Sequence, residues 1–292
     1  MYSDLTSYIK LSPNCNSPRR HPVRKIAVHH MAGNLSVEDC AAMFARPERQ
    51  ASANYVIGSD GRIVLCVDEG DRAWTSGNAE NDHQAITIEV ANDRPSDAGG
   101  WHVSDEAMIS LVALCTDICR RYGFSLTFTG DASGSMTFHR MFQPTLCPGP
   151  YIESAIVELC DEVNARLSGR VYKMRDAAKL GRALAGWKGY RRWLYDVNGD
   201  GKVNARDLAA MLRLIAGHKS ATAAVTVKVG DVVRVLPDVR TYAGGTFMPS
   251  WVREVDLFVR GIEKAGSVYL LSTEPRGDVY TGRVRSIDVY KI

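Results

Sequence analysis

Apolar positions in the first 167 residues follow two different periods. Lys25–His29 (KIAVH), Asn54–Gly58, Arg62–Val67 and Ala85–Val90 are short, β-branched and apolar, the pattern of buried strands. Ser36 followed by Val37, Cys40, Ala41 and Phe44 predicts a capped amphipathic helix. Ser104 opens a second helix, with Asp105 and Glu106 in its first turn, Met108, Val112, Cys115 and Cys119 at helical spacing, and Gly123 as a stop. Ile152–Leu167 predicts a third. Strands and helices in alternation imply an α/β domain over residues 1–168, a mixed central sheet flanked by helices, of ordinary size for one core.

The pattern then changes. Residues 169–220 are helix-forming and lack strand signals, and they carry a faint repeat offset by 31 positions: Arg175-Asp176-Ala177-Ala178 with Leu180 and Leu184 echoes Arg206-Asp207-Leu208-Ala209 with Met211 and Ile215. Ser220–Ala224 is a small, uncharged linker. From 224 to 292 the apolar runs Val225–Val235, Trp251–Ile262, Val268–Ser272 and Val284–Ile292, separated by turns at Gly244-Gly245 and Arg276-Gly277-Asp278, predict a small all-β barrel.

Charge sharpens this division. Residues 1–167 carry 14 Lys and Arg against 21 Asp and Glu, whereas residues 168–220 carry 12 against 4. The basic middle should attract polyanions, of which nucleic acid and anionic wall polymers are two kinds, although solubility alone explains it equally well. Seven cysteines, an odd and scattered set, argue against a disulfide framework and for reduced core residues with one metal ligand at most. No apolar run is long enough to span a bilayer, and the N-terminus lacks the apolar core of a signal peptide. The expectation is synthesis in a cytoplasm, without membrane insertion.

Three residues carry candidate metal chemistry. His29 closes the first predicted strand, and His139 and Cys147 lie eight apart in the proline-interrupted stretch TFHRMFQPTLCPGP. Two imidazoles and one thiolate leave a fourth tetrahedral position open, as a catalytic zinc site does. Spacing alone leaves each as a structural residue more readily than a ligand. Glu89 interrupts the apolar strand AITIEV, where an unpaired buried carboxylate is costly, although an edge strand would place it in solvent.

VHHMAG, SANYVIGSDGRIV, DRAWTSG, ITIEV and FHR…TLCPGP occur in the order found in type 2 N-acetylmuramoyl-L-alanine amidases, which include phage lysozymes and peptidoglycan recognition proteins. The chain resembles that family over residues 22–167. The resemblance implies zinc held by His29, His139 and Cys147, and Glu89 as the acid/base. His30, pointing to the other side of its strand, becomes a supporting or packing residue. It also places Thr145 where some relatives carry an oxyanion-stabilising lysine, and Ala53 where others carry a catalytic tyrosine; relatives that use a glutamate also lack that tyrosine. Asn54, Arg72 and Trp74 fall in segments that line the peptide groove of relatives, with a core position as the alternative for Trp74.

Asp196-Val-Asn198-Gly-Asp200-Gly201-Lys202-Val-Asn204-Ala-Arg-Asp207 fits a twelve-residue calcium loop, with oxygens at positions 1, 3, 5 and 12, a turn glycine at 6 and a carbonyl from Lys202 at 7. The segment resembles dockerins, EF-hand-like modules that close with Asp rather than Glu, but the first of the two usual loops is missing. One calcium is therefore expected, and a module stiffened by calcium, or one used for self-association, is at least as plausible as cohesin binding. Residues 224–292 resemble bacterial SH3-type wall-binding domains, with Tyr242, Trp251, Tyr269 and Tyr280 forming either an aromatic groove or a core; the balance for Trp251 favours core. Together these readings describe a phage endolysin that uses Zn²⁺ and Ca²⁺. It would cut the bond between N-acetylmuramic acid and L-alanine in Gram-positive peptidoglycan, and would remain in the host cytoplasm until release to the wall. Wall polymers, not nucleic acid, are then the polyanions expected. A non-catalytic peptidoglycan sensor and a cellulosome-type scaffold part are the alternatives; Cys147 counts against the first, and the single calcium loop against the second.

Overall fold

The two periods in the sequence become one sheet and the helices that cover its two faces. In chain order the elements are β1 (Tyr8–Ile9), β2 (Cys15–Asn16), β3 (Lys25–His30), α1 (Val37–Phe44), β4 (Tyr55–Ile57), β5 (Ile63–Leu65), β6 (Arg72–Ala73), α2 (Ala79–Gln84), β7 (Ala85–Val90), α3 (Asp105–Tyr122), β8 (Met136–Phe138), α4 (Pro150–Leu167), α5 (Met174–Leu184) and α6 (Ala205–Ser220). Six strands form a sheet ordered β1-β5-β4-β7-β3-β8, in which only β4 and β5 run antiparallel. β2 and β6 pair separately. The computed structural model describes residues 2–96, 98–220, 227–235, 241–243, 248–263, 268–274, 281–285 and 289–291. The chain divides into two compact units, Met1–Ala216 and Gly217–Ile292.

Alternation along β3 and β7 sorts their residues. Ile26, Val28, Ile86, Ile88 and Val90 pack into the large core with Met108, Leu111, Val112 and Cys115 of α3 and with Ile152, Ile156 and Leu159 of α4. The opposite face meets a smaller core, where Val37, Cys40, Ala41 and Phe44 of α1 lie on Val56 and Val64. The expected caps form: Ser36 Oγ accepts from the Asp39 amide and Ser104 Oγ from the Ala107 amide, each at 3.1 Å, which satisfies donors the helix cannot. Gly123 ends α3 with φ of 72°, a left-handed conformation that costs glycine little. All seven cysteines are free thiols; Cys115 and Cys119 are core residues of α3.

A buried charge is satisfied inside this domain. Glu69 is fully buried and accepts from Tyr55 Oη at 2.6 Å and from Arg121 at 2.5 and 2.7 Å, with Tyr122 Oη at 3.0 Å. Paired in this way, its carboxylate escapes much of the cost of an isolated buried charge.

The helical segment after α4 is not a separate body. Leu180, Trp193, Tyr195, Val203, Met211 and Ile215 belong to the same core cluster as α3 and α4. The repeat has a structural counterpart. Leu180 and Met211, 31 apart, are both fully buried, and Asp176 and Asp207 each accept the backbone amide three residues earlier at 2.8 Å. Around the expected calcium loop, a 3-10 turn, Arg192–Tyr195, leads in and α6 leads out.

The second unit holds an antiparallel sheet ordered β12-β11-β10-β9-β13, from β9 (Val232–Val235), β10 (Leu257–Glu263), β11 (Val268–Ser272), β12 (Gly282–Arg285) and β13 (Val289–Lys291). It curls as a half-barrel around Val233, Val235, Met248, Val252, Leu257, Val259, Leu271 and Val284. Among the described residues β12 and β13 have no strand beyond them, so what these residues form of the expected SH3-like barrel is an open, curled sheet. Trp251 is 46% exposed, which corrects its assignment to the core: it sits on a 3-10 turn, Ser250–Arg253, whose Val252 alone points inward. Tyr242 and Tyr269 pack against the core, and Gly282 lies directly under the Tyr242 ring, where a larger residue would collide. Tyr280, the linker 221–224, Gly244-Gly245 and Arg276-Gly277-Asp278 fall outside the described residues.

Trp193→Ala should destabilise the Met1–Ala216 unit by roughly 3–5 kcal/mol, the usual cost of emptying a large aromatic site. Urea unfolding of the full chain measures it. A loss below about 1 kcal/mol would mean the turn is not part of the core.

Candidate functional site

Three parallel strands end side by side on the face that α1 only partly covers. β3 lies between β7 and β8, with His29 in register with Glu89 and Val28 with Phe138. The residue after Phe138 is His139, so Glu89, His29 and His139 line up at the carboxyl ends of adjacent strands, where α/β sheets commonly place their ligands. β7 is an interior strand, so Glu89 is not at a sheet edge. Cys147 reaches the same place from the loop before α4.

His29, His139 and Cys147 place their candidate ligand atoms within 4.8 Å of one another, and no other group of three His, Cys, Asp or Glu among the described residues does so. Cys147 Sγ lies 3.5 Å from His29 Nδ1. Zinc–sulfur and zinc–nitrogen bonds of about 2.3 and 2.1 Å at a tetrahedral angle require about 3.6 Å. His29 Nε2 is buried and finds no hydrogen-bond partner. Burial holds the His29 imidazole neutral by pushing its pKa down to about 3, and also lowers that of His139. Neutral imidazoles are the form that binds metal. Burial raises the Cys147 thiol well above its usual value, while the His30 backbone amide donates toward its sulfur and favours the thiolate. This donor set fits a zinc ion.

These residues line a cavity of about 270 Å³ together with Glu89, Thr145, Trp74, Arg49, Ser52 and Thr75. Desolvation pushes the Glu89 carboxyl up to about 8, opposed by the Arg49 charge. Thr145 Oγ accepts from the Cys147 amide at 3.2 Å, which leaves its hydrogen free to donate into the cavity. Trp74 is half-buried at the cavity wall, its indole N–H fixed by Asn16 Oδ1 at 2.8 Å, rather than lost in the core. His30, next along β3, also borders the cavity, with its ring 5.0 Å from that of Trp101 and against Gly149.

Asn54 and Arg72 are not brought to this cavity. Asn54 is fully buried; its amide donates to the Val67 and Asp68 carbonyls and its oxygen accepts from the Thr87 amide at 3.0 Å, so it braces β7 instead. Arg72 Nε donates to the Ala73 carbonyl on β6. Sequence reasoning missed Arg49, Ser52 and Thr75. They come from a 3-10 turn and loops that carry no periodic signal, and only folding brings them beside the strand ends.

The calcium-loop residues form a second cluster. Asp196 accepts from the Gly199 and Gly201 amides at 2.9 and 3.2 Å, and both glycines have positive φ, as the tight loop demands. Asn198 and Asp200 each accept an amide two residues on. Asp207 closes the loop from its far end, accepting from the Val197 and Asn204 amides at 2.9 and 2.8 Å. Burial first, and then the Asp207 charge, pushes Asp196 up to about 6; burial also raises Asp207. Two buried acids facing one another within an all-oxygen donor set fit a hard divalent cation.

Residues 19–150 match the family described as N-acetylmuramoyl-L-alanine amidase, and residues 194–232 match the dockerin type I domain. No curated protein matches the chain. Among solved structures it is similar to the catalytic domain of XlyA, at 15% identity over 53% of this chain and 96% of that one, with a TM-score of 0.42. It is also similar to AmpD, at 18% identity over 55% and 98%, with a TM-score of 0.42. A third is the endolysin amidase LysCS of Clostridium intestinale URNW, at 18% identity over 52% and 96%, with a TM-score of 0.37. The first unit thus carries an amidase-type α/β domain, and a dockerin-type segment follows it.

Metal analysis of purified protein should find one zinc per chain, and Cys147→Ser should lower zinc affinity by at least about 10-fold. Equal zinc content and affinity in the variant would remove Cys147 from the ligand set.

Proposed function

We propose that the amidase-type domain is a zinc-dependent hydrolase of the amide between the lactyl group of N-acetylmuramic acid and L-alanine in bacterial peptidoglycan. The observation that carries this is the row of Glu89, His29 and His139 on three adjacent strand ends, with Cys147 completing a ligand set in one cavity. Zinc held by His29, His139 and Cys147 supplies Lewis-acid chemistry, acidifying water to a pKa of ~7 and polarising a carbonyl.

The chain's own groups do the rest. Glu89, set across from His29 and desolvated, accepts the proton of the attacking water and returns it to the departing amine. Thr145, its oxygen already engaged by the Cys147 amide, donates its hydroxyl hydrogen to the carbonyl oxygen as negative charge develops there. Trp74, held by Asn16, offers an apolar wall beside the reacting bond. Asn54 and Arg72 support the groove from behind, rather than by touching substrate.

The remaining segments fit an endolysin of modular build. Asp196, Asn198, Asp200, the Lys202 carbonyl and Asp207 would hold calcium. The basic segment 168–220 would draw the protein to anionic wall polymers, and the C-terminal sheet would bind the wall. Release from a host cytoplasm to the wall completes the reading.

Glu89→Gln should lower kcat on a soluble muramyl peptide by about 10²- to 10⁴-fold with zinc content unchanged, the usual contribution of a positioned acid/base. Thr145→Val should lower it by roughly 10²-fold, as loss of one oxyanion donor does. Rates within a few-fold of wild type in Glu89→Gln would exclude it as the proton carrier.

A further inference from the structure

We propose that calcium in the 196–207 loop acts as a staple for the amidase domain itself: ion binding there tightens the hold of the 3-10 turn Arg192–Tyr195 on α3 and α4. The proposal rests on the calcium reading of the loop given above.

The turn lies between the loop and the catalytic domain and is tied to both. Trp193 is fully buried and Tyr195 nearly so, in the core shared with α3 and α4, and Tyr195 is followed directly by Asp196, the first loop oxygen donor. Arg191, just before the turn, pairs with Glu158 of α4. It also donates to the Ser154 carbonyl and hydroxyl at 2.8 and 3.1 Å, and lies over the Tyr151 ring. Arg192 links the two sides: its Nη2 donates to the Val203 carbonyl inside the loop at 2.9 Å, and its Nε faces Asp105 at the start of α3 at 3.8 Å. Arg166, half-buried in the last turn of α4, lies in the field of Asp196. The loop's own Val203 and the Met211 of the helix leaving it are core residues too.

A loop connected in this way cannot change its order without changing that of its support. Asp196 and Asp207 stand at the two ends of the loop, each held by backbone amides within it. A divalent cation shared by their carboxylates draws the two ends of the loop together, so Asp196 holds Tyr195 and Trp193 in the core. Ligand that binds only the ordered form stabilises everything that unfolds with it. The consequence is a domain that is slack where calcium is scarce, as in a cytoplasm, and firm in calcium-rich surroundings outside a cell. The dockerin-type segment then serves its own chain, as a brace.

Hydrogen exchange of the zinc-loaded full chain, read by mass spectrometry before and after calcium addition, tests this. Terbium luminescence serves as a separate probe of ion binding to the loop. Calcium should slow exchange in α4 and the start of α3 as well as in residues 191–216, and should raise the melting temperature by about 5–10 °C. Asp200→Ala should abolish both effects. Arg192→Gln should keep ion binding and loop protection but lose much of the protection in α3. Calcium binding that protects only the loop and α6, leaving α3 and α4 unchanged, would overturn the staple. No terbium or calcium binding at all would overturn the calcium reading, and the staple with it.

Discussion

The pairing of β3 with β7 is the constraint on which the rest of the first unit depends. Parallel register sets His29 beside Glu89 and, through β8, His139 beside His29. A slip of one residue would turn each side chain to the opposite face, into the core that α3 and α4 cover. The alternation that sends Ile86, Ile88 and Val90 into that core therefore also fixes the direction of Glu89. Packing and chemistry are set by one pattern. The short α1 matters for what it leaves open: its eight residues cover β4 and β5, and the strand ends beside them stay accessible as a cavity.

Burial gives the site its chemical character. It keeps His29 and His139 neutral and raises the Glu89 carboxyl, so the imidazoles are ready for a metal and the carboxyl is ready to exchange a proton near neutral pH. Burial also disfavours the Cys147 thiolate, and the His30 amide only partly offsets that. The proposed zinc would offset that cost. The 196–207 loop follows the same logic, with two buried acids that the proposed calcium would balance.

Much of this was readable from sequence, because long, capped or strictly alternating elements announce themselves. β3, β7, α1 and α3 follow their patterns closely, and Ser36, Ser104 and Gly123 mark the ends. β1, β2 and β6 are two residues each and β8 three, too short for any period, so they went unseen. His29, Glu89, His139 and Cys147 were identifiable as candidates, but the row formed by the first three follows from strand order, which composition does not encode. Asn54, expected at the groove, turns its side chain toward the Val67 and Asp68 carbonyls and the Thr87 amide, a direction that a short segment does not reveal. The docking of Trp193 was hidden because Tyr190–Tyr195 mixes arginines and apolar residues with no period that marks a buried face. Trp251 erred in the opposite sense, an aromatic assigned to a core that smaller residues fill.

The most direct test of the central claim is product analysis of purified Gram-positive walls digested by the zinc-loaded full chain. The account predicts released peptides with new free L-alanine amino termini and glycan strands whose muramic acid keeps its lactyl group and whose reducing ends do not increase. New reducing ends, cuts within the stem peptide, or tight wall binding with no new termini would contradict it.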